Sequence, residues 1–253
     1  MNPLTRIAKI VLPESCYLRI RELLRWAPYV GFRRRCPCCG ARLRGFVAGG
    51  YEGRRVAGCP RCGSLERHRM LWLCLRDRAD LLPAGGRLLH FAPERCLSRR
   101  LARVPGLHYV TADLDPENAM VAADVTRIPF PDACFDGIIC SHVLEHVDDD
   151  RAALAELHRV LKPGGWAIVL APVDESRETT LEDPEARTPQ DRERLYGHPE
   201  HVRLYGRDYA DRLRQVGFEV RVERCGPAAQ IAHFGLDASE SIHLCTRPLL
   251  GKL

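Results

Sequence analysis

The 253-residue chain is 45% hydrophobic and 28% charged, a composition typical of a globular protein. Its length is enough for one full α/β domain and a small additional module. We find no run of about 18 uncharged apolar residues, so a transmembrane helix is not expected. Charged residues interrupt the apolar runs near the N-terminus and argue against a signal peptide. Several of the twelve cysteines lie inside apolar runs, which favours free thiols and a reducing, cytoplasmic compartment.

The charge is unevenly distributed along the chain. Residues 1–80 contain 17 Lys and Arg against 6 Asp and Glu, whereas the remaining residues contain 21 against 27. A basic segment beside an acidic body predicts an anionic partner: a nucleic acid, a phosphorylated substrate or a lipid surface touched peripherally. A well-solvated, arginine-rich surface without a partner explains the same charges.

The N-terminal third predicts a small module. Residues 4–26 have apolar positions at helical spacing, interrupted by Pro13, and predict one or two short amphipathic helices. Residues 33–63 are rich in Gly, Arg and Cys and contain short β-like stretches. We expect residues 1–80 to form this module and residues 81–253 to form the main domain.

Two C-x2-C pairs, separated by 19 residues, occur in "CPCCG" and "CPRCG". This is the spacing of a zinc ribbon, in which four thiolates surround one structural Zn²⁺ ion. The predicted ligands are Cys36, Cys39, Cys59 and Cys62. Cys38 is left over, and His68 is a less suitable substitute ligand. Two redox disulfides are the alternative interpretation.

From about residue 86 onward, predicted strands and helices alternate. The strands are "RLLHFA", "HYVTADL", "FDGIIC", "WAIVLAP", "FEVRVER" and "SIHLCTR", and the helices include "ERCLSRRLARV", "RAALAELHRVL" and "RDYADRLRQV". Such alternation predicts an α/β fold with a parallel, doubly wound sheet. The polar residues 174–205 form a long connection, which is typical of a lid or a substrate-binding loop.

Polar residues follow the ends of successive predicted strands, where open α/β sheets bind their ligands. The first strand end carries His90, Ala92 and Glu94, and the fourth includes Cys140. Asp113, about 20 residues after the first turn, is suited to accept hydrogen bonds from both hydroxyls of a ribose. Asp124 and the backbone amide of Val125 are suited to pair with an adenine edge. Together these residues predict a site for a nucleoside-containing cofactor.

The stretches "ADVTRIPFPDACFDGIICSHVLEHVDD" and "ALAELHRVLKPGGWAIVLAPV" resemble class I S-adenosylmethionine-dependent methyltransferases of the methyltransferase type 11 group. The resemblance covers roughly residues 86–247. It implies a Rossmann-like, seven-stranded sheet whose last strand is antiparallel, with S-adenosylmethionine as methyl donor. It also implies that Asp113 and Asp124 bind the donor.

The chain departs from the family pattern at the first turn. Where the family has D/E-x-G-x-G-x-G, this chain places His90, Ala92, Glu94 and Cys96, and no glycine. Two roles are open for Glu94. It contacts the amino group of the donor, or it opens a helix predicted over Glu94–Val104 and interacts favourably with the helix dipole.

The acceptor side is less defined by the sequence. His142, His146 and His201 are the candidate catalytic residues, because methylation of oxygen or nitrogen can require a nearby base. Arg203 either binds an anionic acceptor or belongs to a hinge. We predict an oxygen or nitrogen acceptor on a small molecule or glycan. Methylation of a ribosomal-RNA base is the alternative, although no N/D-P-P-Y/F tetrapeptide is present. A non-catalytic zinc-ribbon adaptor with a degenerate Rossmann domain is the second alternative.

Overall fold

The computed structural model describes residues 26–49, 54–224 and 226–249, together with Pro13 and Leu24. The Cα packing forms two compact units: Met1–Cys74 with Cys225–Ala238, and Leu75–Arg224 with Ser239–Leu253. The amphipathic helices expected between residues 4 and 26 fall almost entirely outside the described residues, and the domain boundary at residue 80 stays a prediction. No helix in the described part of the chain is both long and apolar enough to cross a membrane.

The first unit contains two small antiparallel sheets. They pair β1 (Val30–Arg35) with β2 (Arg42–Leu43), and β3 (Val47–Gly49) with β4 (Arg54–Gly58). Helix α1 spans Glu66–Asp77, and its residues up to Cys74 belong to this unit.

A late segment of the chain joins this first unit, which the sequence did not predict. Arg69 of α1 is fully buried, donates to the backbone carbonyls of Ser64 and Gly235, and lies 3.9 Å from the centroid of the Phe46 ring. Since Gly235 ends the short helix over Ala228–Phe234, these contacts hold that helix within the unit. A buried guanidinium needs several hydrogen-bond acceptors to offset its desolvation, and the backbone carbonyls supply them.

The second unit is built on a seven-stranded sheet. Its strands are β5 (Arg87–Phe91), β6 (His108–Asp113), β7 (Val121–Ala122), β8 (Phe135–Ser141), β9 (Leu161–Leu170), β10 (Glu219–Arg224) and β11 (Ser241–Thr246). Their order is β10-β11-β9-β8-β5-β6-β7. Every strand is parallel to the others except β11, which is antiparallel to both of its neighbours. The predicted α/β fold, with its antiparallel last strand, is confirmed.

The helices of the second unit follow the hydrophobic pattern of the sequence. They are α2 (Arg95–Leu101), α3 (Asp150–Val160), α4 (Pro189–Tyr196) and α5 (Tyr209–Gln215), and the helix over Ala228–Phe234 in the first unit is α6. In α3 the buried residues recur every three or four positions, and the Asp149 carboxylate caps the helix by accepting from the Ala152 amide at 2.9 Å. Helix α2 is shorter than the predicted Glu94–Val104. Pro105 follows Val104 directly and disfavours helical backbone there.

The sheet contains one topological switch point, between β5 and β8. From β5 the chain runs outward to β6 and β7, and it then crosses to β8 on the other side of β5. The carboxyl ends of β5 and β8 therefore lie side by side, and a crevice opens where the connections leave in opposite directions. This is the edge on which the sequence placed its candidate cofactor residues.

Candidate functional site

The four cysteines of the two C-x2-C pairs meet in the first unit. Their sulfur atoms all lie within 4.8 Å of one another. Cys36 and Cys62 are 3.7 Å apart, and Cys39 and Cys59 are 3.8 Å apart. A zinc ion with Zn–S bonds of about 2.3 Å separates its tetrahedral ligands by about 3.8 Å, so the arrangement fits that ion closely. Disulfide bonds are absent from this cluster, since all four residues are free cysteines.

Each pair of cysteines sits on the same backbone turn. The amide of Gly40 donates to the Cys36 carbonyl, and the amide of Gly63 donates to the Cys59 carbonyl, both at 2.8 Å. Both glycines have left-handed backbone, with φ of 74° and 73°. The C-P-x-C-G repeat thus encodes two equivalent knuckles. Cys38 is excluded from the cluster, and its thiol faces the His68 carbonyl at 3.6 Å.

Two non-glycine residues adopt left-handed backbone conformations at the switch point. Ala92, directly after β5, has φ of 46°, and His142, directly after β8, has φ of 55°. Phe91 and Cys140 are partners in the parallel ladder, so these two turns leave adjacent strands at nearly the same level. Such backbone costs about 1–3 kcal/mol per residue and persists only where surrounding structure enforces it, often at functional sites.

The first turn is organised by side chains instead of glycines. His90 is fully buried at the end of β5, and its Nε2 donates to Glu94 Oε2 at 2.9 Å. Its Nδ1 lies 2.8 Å from the Tyr109 hydroxyl, which also lies 3.1 Å from Ser98 Oγ. Burial raises the pKa of Tyr109, so this hydroxyl stays protonated. The network holds the Glu94 carboxylate in place, and Glu94 makes no side-chain cap on α2 although it occupies the N-cap position.

The two acids predicted to bind the methyl donor lie at the carboxyl ends of neighbouring strands, Asp113 at the end of β6 and Asp124 just after β7. Asp113 closes β6, and one of its carboxylate oxygens accepts from the Asp115 amide at 2.9 Å. Asp124 is exposed, and one of its oxygens accepts from the amide and hydroxyl of Thr126, both at 2.8 Å. Val125 is buried in the core. Both acids are therefore oriented by their own turns at the same edge of the sheet.

Cys140 and Ser141 are the last two residues of β8. Cys140 is fully buried among core residues, and burial raises the pKa of its thiol. Only its backbone could then reach a ligand, and its predicted cofactor role stays a prediction. Ser141 is 4% exposed, and its hydroxyl has no hydrogen-bond partner within the part of the chain that the structure describes. An orphaned hydroxyl here is suited to a polar group supplied by a ligand.

His142 is paired with a buried carboxylate that the sequence did not single out. Its Nδ1 lies 3.0 Å from Oε1 of Glu145, which is 1% exposed. Burial acts to raise the pKa of Glu145, but the hydrogen bond from His142 and weaker interactions together outweigh it, and the pKa is lowered overall. The ionised carboxylate fixes an Nδ1–H tautomer and leaves Nε2 as an acceptor. The i, i+3 spacing in "SHVLEH" was the available signal for this pair.

The other two candidate catalytic histidines meet beside Glu145. The rings of His146 and His201 are 4.8 Å apart at the centroids, and His198 stacks on His201 at 4.6 Å. Burial lowers the pKa of His201 to about 4. The sequence separates His146 and His201 widely, and the 174–205 segment brings them together.

Arg203 is a structural brace and not a free anion-binding group. It is 4% exposed and donates to the carbonyls of Leu144, Val147 and Asp148 and to the Glu182 carboxylate. Its hydrogen-bonding capacity is largely used in holding the 174–205 segment against the loop after β8. Of the two roles left open by the sequence, the hinge is the one that this geometry supports.

Comparisons with known proteins agree with this architecture. Residues 95–169 match the family model of a methyltransferase domain. A demethylmenaquinone methyltransferase of Clavibacter sepedonicus is 34% identical over an alignment of 113 residues that covers 39% of this chain and 46% of that protein. The ubiquinone/menaquinone biosynthesis C-methyltransferase UbiE of Coxiella burnetii is 42% identical over 50 residues, 20% of each chain. The matches thus span less than half of either relative.

Among solved structures, that of the [4+2]-cyclase SpnF is similar, with a TM-score of 0.51 and 19% identity over 72% of this chain and 83% of that chain. At this identity the likeness shows the fold alone. The family to which the matched domain belongs implies S-adenosylmethionine as its cofactor.

Proposed function

We propose that this chain, which carries a class I methyltransferase domain, transfers a methyl group from S-adenosylmethionine to a small-molecule acceptor. The bound donor supplies a methyl group on a sulfonium, which is reactive toward a correctly placed nucleophile. The task of the protein is mainly to hold donor and acceptor in line and to exclude water. The family match over residues 95–169 supports the activity.

One observation carries the proposal: Ala92 and His142, both in left-handed backbone, end the two adjacent strands of the switch point. A glycine at position 92 or 142 would relieve the backbone strain of its turn, yet the chain has alanine and histidine there. The turns that contain Ala92 and His142 follow the carboxyl ends of β5 and β8, the edge where α/β sheets bind ligands, and each holds a His–Glu pair.

The residues present fit the donor. We assign Asp113 to the ribose hydroxyls, and Asp124 with the Val125 amide to the adenine. Glu94, held by His90, is assigned to the ammonium of the methionine portion. Ala92 has a side chain small enough for close approach of a ligand to the backbone, and the unpartnered Ser141 hydroxyl offers one further hydrogen bond.

At the acceptor side, we propose His142 as the general base for an oxygen or nitrogen acceptor. The Glu145 carboxylate orients the ring, so that Nε2 can accept the proton that the acceptor loses. We keep His146 and His201, which lie close to Glu145, as further candidate catalytic residues.

A carbon acceptor is the competing possibility. The Coxiella burnetii relative is named a C-methyltransferase, and the Clavibacter sepedonicus relative acts on demethylmenaquinone by its name. A base such as His142 would serve a carbon acid equally well, since deprotonation also makes carbon nucleophilic. The methylated atom therefore has to be read from the product.

RNA is the second candidate acceptor, and the surface of the first unit favours it. Phe32 is 82% exposed on β1, with the Arg42 guanidinium 5.8 Å from its ring and the exposed Arg33 and Arg35 following it in the same strand. Exposed aromatic rings flanked by arginines can stack on unpaired bases.

We further propose that Cys36, Cys39, Cys59 and Cys62 hold one structural zinc ion. Four protein ligands leave no open coordination position, so the ion would stabilise the first unit and take no part in the reaction. Free thiols throughout the described residues support a reducing, cytoplasmic compartment.

The decisive experiment is calorimetric titration with S-adenosylmethionine, followed by mass spectrometry of extracts incubated with the protein and donor carrying a deuterated methyl group. Saturable binding and a labelled small molecule are expected, both absent with Asp113→Ala. Binding without any labelled small molecule or RNA would favour the non-catalytic adaptor. Absence of binding would overturn the donor assignment, and label only in RNA would favour the second candidate.

A further inference from the structure

Three potential metal ligands meet beside the candidate acceptor site. Each of Glu145, His146 and His201 contributes one ligand atom, and these atoms all lie within 4.8 Å of one another. Glu145 and His146 follow β8 in a short 3-10 helix, Leu144–His146. The Val202 amide donates to the Glu145 carbonyl at 2.8 Å, and this bond fixes His201 beside the other two residues.

One carboxylate oxygen of Glu145 has no hydrogen-bond partner among the described residues. Oε1 accepts from His142, whereas Oε2 is buried and has no hydrogen-bond partner among the residues described. With the side chain 1% exposed, water does not solvate this oxygen freely. A buried, unpaired carboxylate oxygen costs stability, so a cation at this point would remove an unfavourable feature of the folded chain.

The two histidines present compatible nitrogens. His146 Nδ1 lies 3.2 Å from the Glu200 carbonyl, to which it donates, and this bond leaves its Nε2 with a free lone pair. His201 Nδ1 is buried and likewise has no partner within the described ranges. A backbone carbonyl holding one ring nitrogen while the other faces a cluster of ligands is a common arrangement around metal-binding histidines.

We propose that Glu145, His146 and His201 bind a divalent transition-metal ion, distinct from the zinc ion of the cysteine cluster. Two imidazoles and one carboxylate favour Zn²⁺ or Fe²⁺ over Mg²⁺ or Ca²⁺, which prefer oxygen ligands. Metal–ligand bonds of about 2.0–2.2 Å require the three atoms to close in by small side-chain rotations. His142 would orient Glu145 from the outer shell.

Three protein ligands leave coordination positions open, unlike the four-cysteine cluster. This next step rests on the proposed function: an open position at the carboxyl end of β8 would bind an oxygen atom of the acceptor and fix its orientation. The ligand class expected at the site is therefore a small molecule with a hydroxyl or carboxylate oxygen. The metal site itself does not depend on methyl transfer.

The test uses the full chain with its cysteine cluster already loaded with zinc, titrated with Zn²⁺ in a calorimeter and with Co²⁺ in a spectrophotometer, without donor or acceptor. Wild-type protein should bind one further ion, and the added Co²⁺ should show the weak bands of nitrogen and oxygen ligation without thiolate-to-cobalt charge transfer. His146→Ala and His201→Ala should weaken binding at least about 100-fold, because even outer-shell partners typically contribute about 10–100-fold.

His146→Ala is the primary variant, because His146 is exposed and its loss should leave the fold intact. Glu145→Gln is a second ligand variant, and it keeps the shape of the side chain. The matched control is His108→Ala, which replaces an exposed histidine at the start of β6 and should bind the ion as wild type does. The proposal is overturned if wild-type protein binds no further ion, or if both histidine variants bind it with unchanged affinity. Methyl transfer failing in a chain that binds the ion would instead count against the proposed function.

Discussion

His90 donates from Nε2 to Glu94 Oε2 at 2.9 Å across the glycine-free turn that follows β5. The histidine nitrogen must be the hydrogen-bond donor in this pair, because an ionised carboxylate can only accept a hydrogen bond. Glu94 is thereby held by a fully buried ring and is itself 17% exposed, while its side chain makes no capping hydrogen bond to α2. A carboxylate fixed in this way favours contact with a cationic ligand over a purely local role at the start of a helix.

Glu94→Gln should weaken binding of S-adenosylmethionine roughly tenfold or more, with little change in the melting temperature. Glutamine keeps the shape and can accept from His90, but it loses the charge that would attract the donor's ammonium. Calorimetry and thermal melting measure the two effects separately, with Glu219→Gln on exposed β10 as the control. A lowered melting temperature with intact donor binding would leave Glu94 with a structural role.

Asp113→Ala should abolish measurable donor binding, whereas Asp124→Ala should weaken it less. Asp113 is assigned two hydrogen bonds to ribose hydroxyls, each worth about 1.5–3 kcal/mol when one partner is charged. In Asp124→Ala the neighbouring Val125 amide can still donate a hydrogen bond to the adenine. Equal affinities of wild type and Asp113→Ala in calorimetric titrations would place the donor elsewhere.

Cys36→Ser and Cys62→Ser should each lose the zinc ion of the first unit and make residues 1–80 sensitive to protease. Removing one thiolate opens the tetrahedral site, and the binding free energy of a structural zinc ion contributes directly to folding of the module that holds it. Metal analysis of purified protein and limited proteolysis provide the readouts. Cys38→Ser is the matched control: its sulfur lies outside the cluster, so it should keep the ion. Zinc retained in both ligand variants would refute the assignment.

Arg203→Ala should destabilise the second unit by about 3–5 kcal/mol, the usual effect of removing one member of a buried charged network. The three carbonyls and the Glu182 carboxylate that it serves would lose their donor. Urea unfolding measures the loss, and Arg207→Ala, whose side chain is exposed, is the control. If only the KM for an acceptor changed, Arg203 would be a substrate contact after all.

His243 should make the second unit acid-sensitive. Burial, with the charge of Arg214, lowers the pKa of this 5% exposed histidine from 6.5 to about 4. Between these values the unfolded chain binds a proton that the folded chain does not, so stability is complete above about pH 6.5 and falls as the pH drops toward 4. The loss should approach about 3 kcal/mol at pH 4.

The check on His243 is the pH dependence of urea unfolding in wild type and in His243→Phe, which keeps a ring against Tyr209. The variant should have a shallower decline between pH 6.5 and 4, whatever its stability at neutral pH. Parallel curves for the two proteins would assign the acid sensitivity to other groups.

Features encoded by short-range spacing were determined by the sequence alone. The two C-P-x-C-G repeats specify two knuckles, because each hydrogen bond and left-handed glycine lies within a five-residue stretch. The alternation of apolar strands with amphipathic helices predicted the parallel sheet, and the resemblance implied its antiparallel last strand. Both depend on periodicities that the backbone geometry of strands and helices imposes locally.

Contacts between distant segments were decided only by the tertiary structure. The partners His201 and Glu145, and Arg203 and Leu144, are brought together when the segment after β9 packs on the loop after β8. The left-handed backbone of Ala92 is likewise invisible in a sequence that has no glycine there, since surrounding contacts enforce it. Such arrangements follow from the packing of the whole unit, where the energy of many contacts outweighs the local preference of each residue.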